Sequence, residues 1–207
     1  MEQREQLPFG GWLAYRPGWL KPRRADDLLA RLGGELAWEQ REIVLFGKRV
    51  MQPRLVAWAG EPAYRYSGQT LEPRPFVAGL DELLHEVGAA AHSRFNHILC
   101  NRYRSGGDSM GFHADDEREL GPDPIVAILS LGAVRRLGLK PRKRKAAPAR
   151  CYQLGHGSLL VMGGSCQRHW LHGVPRAAGQ VGERISLTFR WIRRPRRHRL
   201  DAYRHRG

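Results

Sequence analysis

Polar and apolar residues alternate in short runs along much of the chain, and the clearest run is Arg184–Arg190 (RISLTFR). Successive residues of a strand point to opposite sides, so Arg184, Ser186, Thr188 and Arg190 share one face and Ile185, Leu187 and Phe189 the other. Alternating or continuous apolar runs predict further strands at Trp38–Val44, Arg54–Trp58, Ala63–Ser67, Ile98–Tyr103, Ile125–Leu131, Arg135–Leu139, Cys151–Leu154 and Ser158–Met162, with the last at Ile185–Trp191. Helical spacing is confined to two stretches. Ala25–Leu32 has acidic residues near its start and leucines at helical spacing, and Gly33 and Gly34 are expected to end it. Val77–Ala91 repeats apolar residues at Leu80, Leu83, Leu84, Val87 and Ala91, as an amphipathic helix backing a sheet does. Short, closely spaced strands with few helices predict a mainly β (α+β) fold, a barrel or jelly roll with helices packed outside. Residues 1–24 lack either period and are expected to form an extended arm that lies on the domain or is partly disordered. Residues 25–192 then make one domain, and residues 193–207 a basic tail.

Candidate chemistry centres on Asn101–Leu120 (NRYRSGGDSMGFHADDEREL) and on His113 and Asp115 within it. On an extended strand these two side chains face one point, which is half of a metal site. His172, in the stretch Arg168–Gly173, is the leading third ligand, with His169 as the other candidate. Two histidines and a carboxylate form the facial triad of non-haem Fe(II) oxygenases, which leaves coordination positions open. The same residues suit a zinc hydrolase, and an isolated His-x-Asp is more often a surface pair. Two arginines and two hydroxyls on the inward face of Arg184–Arg190 favour an anionic co-substrate, because a guanidinium fork matches a carboxylate in a bidentate pair.

With these residues in place the chain resembles the AlkB family of Fe(II)- and 2-oxoglutarate-dependent nucleic-acid demethylases, and most closely the branch acting on duplex DNA. The resemblance spans about Arg41 to Ile192. It is carried by Asn101–Tyr103, His113–Leu120, Gly155–Leu160, His169–His172 and Arg184–Arg190. It implies a double-stranded β-helix in which His113, Asp115 and His172 hold Fe(II), and in which 2-oxoglutarate and O2 are consumed. It also implies that Asn101, Tyr103, Arg184, Ser186, Thr188 and Arg190 bind 2-oxoglutarate, with Arg184 on its distal carboxylate and Thr188 and Arg190 nearer its metal-bound end. Ser186 departs from the pattern, since many members carry Asn there. The nucleotide-recognition hairpins would fall at about residues 38–68. Within them Phe46, Gly47, Lys48 and Arg54 would meet the nucleic acid, and Tyr64 and Tyr66 would line a flipped-base pocket, with Tyr66 facing the His113 ring across the base. Asp116 and Glu117 would contact the exocyclic edge of that base. An ordinary cross-strand aromatic pair is the alternative for the tyrosines, and a buried ion-pair network for the arginines. The implied reaction is removal of N-methyl groups, as in 1-methyladenine and 3-methylcytosine, with release of formaldehyde. The same chemistry on RNA or protein, or a non-catalytic nucleic-acid-binding module, are the other readings.

Composition narrows the partner. Lys and Arg number 35 against 20 Asp and Glu, a formal charge of +15 over 207 residues, which suits a polyanion. Six of those cations fall between Lys140 and Arg150, a stretch with two prolines and almost no apolar residue, and predict an exposed basic loop. No apolar run approaches the roughly 20 residues of a spanning helix, and the N-terminus does not resemble a signal peptide. Cys100, Cys151 and Cys166 are too scattered for a disulfide framework or a paired-cysteine metal site. The expectation is a cytoplasmic monomer that binds alkylated DNA, duplex and also single-stranded, and no membrane.

Overall fold

The computed structural model describes residues 4–45, 47–66, 69–77, 79–143 and 146–193. The chain opens with β1 (Glu5–Gln6), β2 (Gly11–Arg16) and helix α1 (Pro22–Glu35). Two hairpins and an intervening strand follow: β3 (Glu42–Leu45), β4 (Lys48–Met51), β5 (Leu55–Gly60), β6 (Tyr64–Tyr66) and β7 (Gln69–Leu71). Helix α2 (Leu80–Ala91) leads to β8 (His97–Tyr103), β9 (Met110–His113), β10 (Val126–Gly132), β11 (Arg135–Pro141), β12 (Arg150–Leu154) and β13 (Ser158–Gly164). A short helix α3 (Cys166–His169), β14 (Trp170–Val174) and β15 (Arg184–Arg190) complete the fold.

These strands form two main sheets, a seven-stranded one in the order β1-β2-β13-β10-β15-β8-β5 and a four-stranded one in the order β12-β11-β14-β9. Neighbours separated by long stretches of sequence pair antiparallel, as in a jelly roll. Each face of the large sheet has its own partner. Ala127, Leu129 and Leu131 of β10 and Ile185, Leu187 and Phe189 of β15 pack with Leu28 and Leu32 of α1 and Leu80, Leu83 and Val87 of α2. Val126 and Ile128 of β10, with Leu160 and Met162 of β13, instead meet Leu137, Leu139, Leu154, Trp170 and Val174 between the sheets. Every residue of β15 is therefore buried. Its apolar face meets helices, and its polar face closes a cavity between the sheets.

The fold differs from expectation at three segments. The N-terminal segment, expected as an extended arm lying on the domain or partly disordered, is extended and joins the large sheet: β2 pairs with β13 through six residues from Gly11 to Arg16, and Leu13 is 1% exposed. The mix of Gly, Pro, Trp and basic residues around it hid a strand that lies between β1 and β13. Helix α1 begins at Pro22, whose fixed φ suits a first helical turn, and has no acidic residue in that turn. It also runs through Gly33 and Gly34 to Glu35, because Ala25, Leu28 and Leu32 anchor it to the sheet and outweigh the roughly 1 kcal/mol that each glycine costs. Third, the stretch Lys140–Arg150 is not all loop, since Lys140 and Pro141 extend β11 and Arg150 opens β12. Six strands lie outside the forecast segments: β1, β2, β4, β7, β9 and β14. The predicted tail lies outside the described residues beyond Arg193, as do Arg144 and Lys145 of the basic loop.

Candidate active site

His113 ends β9, and His172 lies at the middle of β14, directly opposite it in the ladder. The two imidazole centroids are 4.3 Å apart. That approach depends on Gly173, where a Cβ would lie 3.0 Å from the Met110 carbonyl oxygen and 3.1 Å from the Phe112 nitrogen. Asp115 follows two residues beyond His113, fully buried, with Oδ2 3.7 Å from His172 Nε2. One ligand atom from each of the three residues lies within 4.8 Å of the others, and they are the one such His/Cys/Asp/Glu group among the described residues. His113 Nδ1 is 3.0 Å from the Gly111 carbonyl oxygen, which leaves Nε2 to face a metal. His169, the other histidine weighed for this role, instead lies with its ring centroid 5.5 Å from that of Phe9.

The electrostatics suit a cation. Burial, opposed by Asp115, holds the His113 imidazole below its usual pKa, and burial with the neighbouring His113 pushes His172 down to about 3. Both rings are neutral, as ligands must be. Burial would raise the Asp115 carboxyl, but Arg190, His172 and His113 together hold it below the usual carboxylate range. Asp115 Oδ1 accepts from Arg190 Nε at 3.1 Å and from Nη2 at 2.6 Å. Oδ2 is buried and accepts no hydrogen bond among the described residues. A buried carboxylate oxygen without a donor, set between two neutral imidazoles, fits a small divalent cation.

The residues expected around 2-oxoglutarate line one cavity beside this triad: Asn101, Tyr103, Arg184, Ser186, Thr188 and Arg190. Arg184 is 1% exposed, and its Nη2 donates to Ser130 Oγ at 2.8 Å. Its Nε and Nη1 make no hydrogen bond among the described residues, and the guanidinium lies 5.2 Å from the Tyr103 ring centre. Burial lowers its pKa against the opposing pull of Tyr103, while Arg135 nearby lowers it further. A buried cation with unfilled donors is a site for an anion. Arg190, by contrast, is already paired with the carboxylate of Asp115.

Not every expected position faces the site. Arg54, expected on the nucleic-acid side, is 4% exposed and donates from Nε to Asn101 Oδ1 at 2.7 Å. The sequence placed Arg54 at the start of a strand and against the nucleic acid, and the fold sets its guanidinium against the Asn101 amide oxygen. Asp116 is half-exposed and ion-paired with Arg142, and Glu117 is partly buried beside it. Lys48 is exposed at the start of β4, and Gly47 takes the turn at φ 76°. Phe46 lies outside the described residues. Tyr64 and Tyr66 form β6 by backbone pairing with β7, and the direction of their side chains lies outside what is described. Ser130, Arg135 and Gln167 escaped sequence reasoning. Ser130 and Gln167 carry no charge or motif, and Arg135 looked like one basic residue among many.

Comparison with known proteins agrees with this architecture. Residues 13–190 match the model of the 2OG-Fe(II) oxygenase superfamily. Within that superfamily the chain belongs to the AlkB family: it is 35% identical over 181 residues to the human DNA oxidative demethylase ALKBH2, a match covering 81% of this chain and 69% of that one. It is also 37% identical over 189 residues to the human alpha-ketoglutarate-dependent dioxygenase alkB homolog 3, covering 85% of this chain. The chain spans 64% of the length of that relative. A solved structure of OsALKBH1 superposes with a TM-score of 0.63 at 16% identity, over 91% of this chain and all of that one. A Burkholderia pseudomallei oxidoreductase of the 2OG-Fe(II) oxygenase family gives 0.58 at 16% identity, over 88% of this chain and 85% of that one. Both likenesses concern the fold alone.

Proposed function

We propose that the protein is an Fe(II)- and 2-oxoglutarate-dependent dioxygenase that demethylates alkylated bases in nucleic acid. Its substrates in this reading are N-alkylated bases of DNA such as 1-methyladenine and 3-methylcytosine. The observation that carries the proposal is the cluster of His113 with the buried Asp115 and His172, opening onto a cavity where Arg184 keeps two donors unfilled among the described residues. His113, Asp115 and His172 would hold the metal, which with 2-oxoglutarate and O2 supplies oxidation of the methyl carbon. The remaining work belongs to the chain. Arg184, braced by Ser130, would bind the distal carboxylate of the co-substrate. Arg190 keeps Asp115 ionised, and Asn101, oriented by Arg54, presents its amide N–H to the same cavity.

A base must leave its stack to reach such a site. In this reading Tyr64 and Tyr66 flank the extracted base and Asp116 and Glu117 meet its exocyclic edge. The positive charge of an N1- or N3-methylated base favours acidic and aromatic neighbours. Names of the relatives support nucleic acid over protein as substrate, since ALKBH2 is called a DNA oxidative demethylase. The β3–β4 hairpin supports duplex DNA. It pairs with neither main sheet, its second strand is exposed along its length, and Val50 and Met51 are 45% and 46% exposed. Formaldehyde release from methylated oligonucleotides tests the function. Release should need both Fe(II) and 2-oxoglutarate, cease on chelation, and be lost in Asp115→Ala. Release by Asp115→Ala under anaerobic iron loading followed by O2 would refute the metal assignment.

A further inference from the structure

Gln167 is 1% exposed and lies in α3, the turn of helix directly before the strand that carries His172. Its Oε1 accepts the backbone N–H of Asp115 at 3.0 Å across 52 residues of sequence. Its Nε2 faces Met162 Sδ at 3.9 Å, so the amide has one orientation that serves both contacts. A second tie joins the same two segments from outside. Arg142 donates to the Gln167 carbonyl oxygen at 3.1 Å and pairs with the carboxylate of Asp116.

The ladder alone does not place Asp115. Strand β9 ends at His113, and its pairing with β14 shifts register between His172 and Val174. The ladder therefore fixes the two imidazoles against each other but stops short of the carboxylate. Asp115 is fully buried, and without Gln167 its N–H would be a buried donor with no partner. We propose that Gln167 is a positioning residue of the metal centre: by tying the Asp115 main chain to the start of the His172 strand, it sets the spacing of those two ligands. The inference rests on the reading of the triad as a metal site.

Co(II) is the probe, because its visible d–d absorption reports ligand number and geometry without turnover. The full chain should bind Co(II) and show such bands. Gln167→Leu keeps a buried side chain of similar size but has no acceptor for the Asp115 N–H. It should bind Co(II) roughly 10- to 100-fold more weakly, as loss of outer partners of metal ligands does, and with altered bands. Gln167→Glu keeps an oxygen in place and should recover most of the affinity and the parent's bands. A Leu variant with the parent's affinity and spectrum overturns the proposal, as does a Glu variant as weak as the Leu variant. If Gln167→Leu does not fold, Gln167→Asn withdraws the same amide by one methylene and is held to the same two outcomes. Failure of the parent itself to bind Co(II) overturns the metal reading and this proposal with it, whereas equal binding by parent and variants overturns this proposal alone.

Discussion

At the scale of single residues, the two arginines at the ends of β15 look equivalent in sequence and differ in the fold. Arg184 has a hydroxyl and a tyrosine ring as neighbours and, among the described residues, two donors without acceptors. Arg190 has its acceptor already, at Asp115. Their substitutions should therefore fail differently. Arg184→Met is expected to weaken 2-oxoglutarate binding by roughly 10- to 150-fold, the equivalent of about 1.5–3 kcal/mol for a lost charged hydrogen bond. Calorimetric titration of the metal-loaded protein measures it, and an unchanged affinity would show that Arg184 is structural. Arg190→Met leaves a buried carboxylate without its cation, which costs about 3–5 kcal/mol when one partner of such a pair is removed. That loss should appear in chemical denaturation of the metal-free protein, and it should shrink when Asp115→Asn is added. A stability equal to the parent's would show that the pair contributes nothing.

At the scale of elements, the informative segments are a strand that resembled an arm and a hairpin that stands apart. Strand β2 covers one side of β13, and Leu13 inserts between the sheets beside Leu160 and Met162. Leu13→Ala should cost about 2–5 kcal/mol, as truncation of a buried leucine does. A loose arm would show no change in melting temperature. The β3–β4 hairpin carries the opposite expectation. In the sequence Phe46 sits at its tip before Gly47, where an aromatic side chain can enter a base stack and fill the gap left by an extracted nucleotide. Phe46→Ala should depress demethylation of methylated duplex strongly and of the same lesion in single-stranded DNA only slightly, with 2-oxoglutarate affinity unchanged. Equal loss on both substrates, together with a lower melting temperature, would make Phe46 a packing residue and remove the main argument for duplex DNA.

At the scale of the whole molecule, the proposed nucleic-acid substrate and a formal charge of +15 together predict that phosphate contacts supply most of the affinity, whatever base is modified. The logarithm of the binding constant should fall linearly with the logarithm of salt concentration. Lys48 is exposed, and Arg49, at 81% side-chain exposure, pairs with Glu42 at 3.5 Å. Replacing either with Ala should lower affinity for any sequence and reduce the slope by about 1. A slope unchanged in both variants would place the phosphate track elsewhere on the surface.

Much of this protein was legible in the chain because local chemistry and local geometry agree there. Alternation along Arg184–Arg190 separates the polar face from the apolar one whatever sheet the strand joins, and the spacing of His113 and Asp115 directs both toward one point on any extended backbone. Helix α2 follows likewise from its own apolar stripe. Features that depend on distant partners were not legible. A glycine-bearing segment such as Gly11–Arg16 becomes a strand only when β13 supplies its hydrogen bonds, and α1 passes through two glycines only because the sheet buries its leucines. Arg54 and Arg190 carry the same charge as the surface arginines, and only the fold sets one against Asn101 and the other against Asp115. Residue types determined which chemistry was available. Tertiary structure decided which donors are already satisfied and which remain open to a ligand, because a hydrogen bond between residues 52 or 75 positions apart, as at Gln167 and Arg190, has no trace in the sequence near either one.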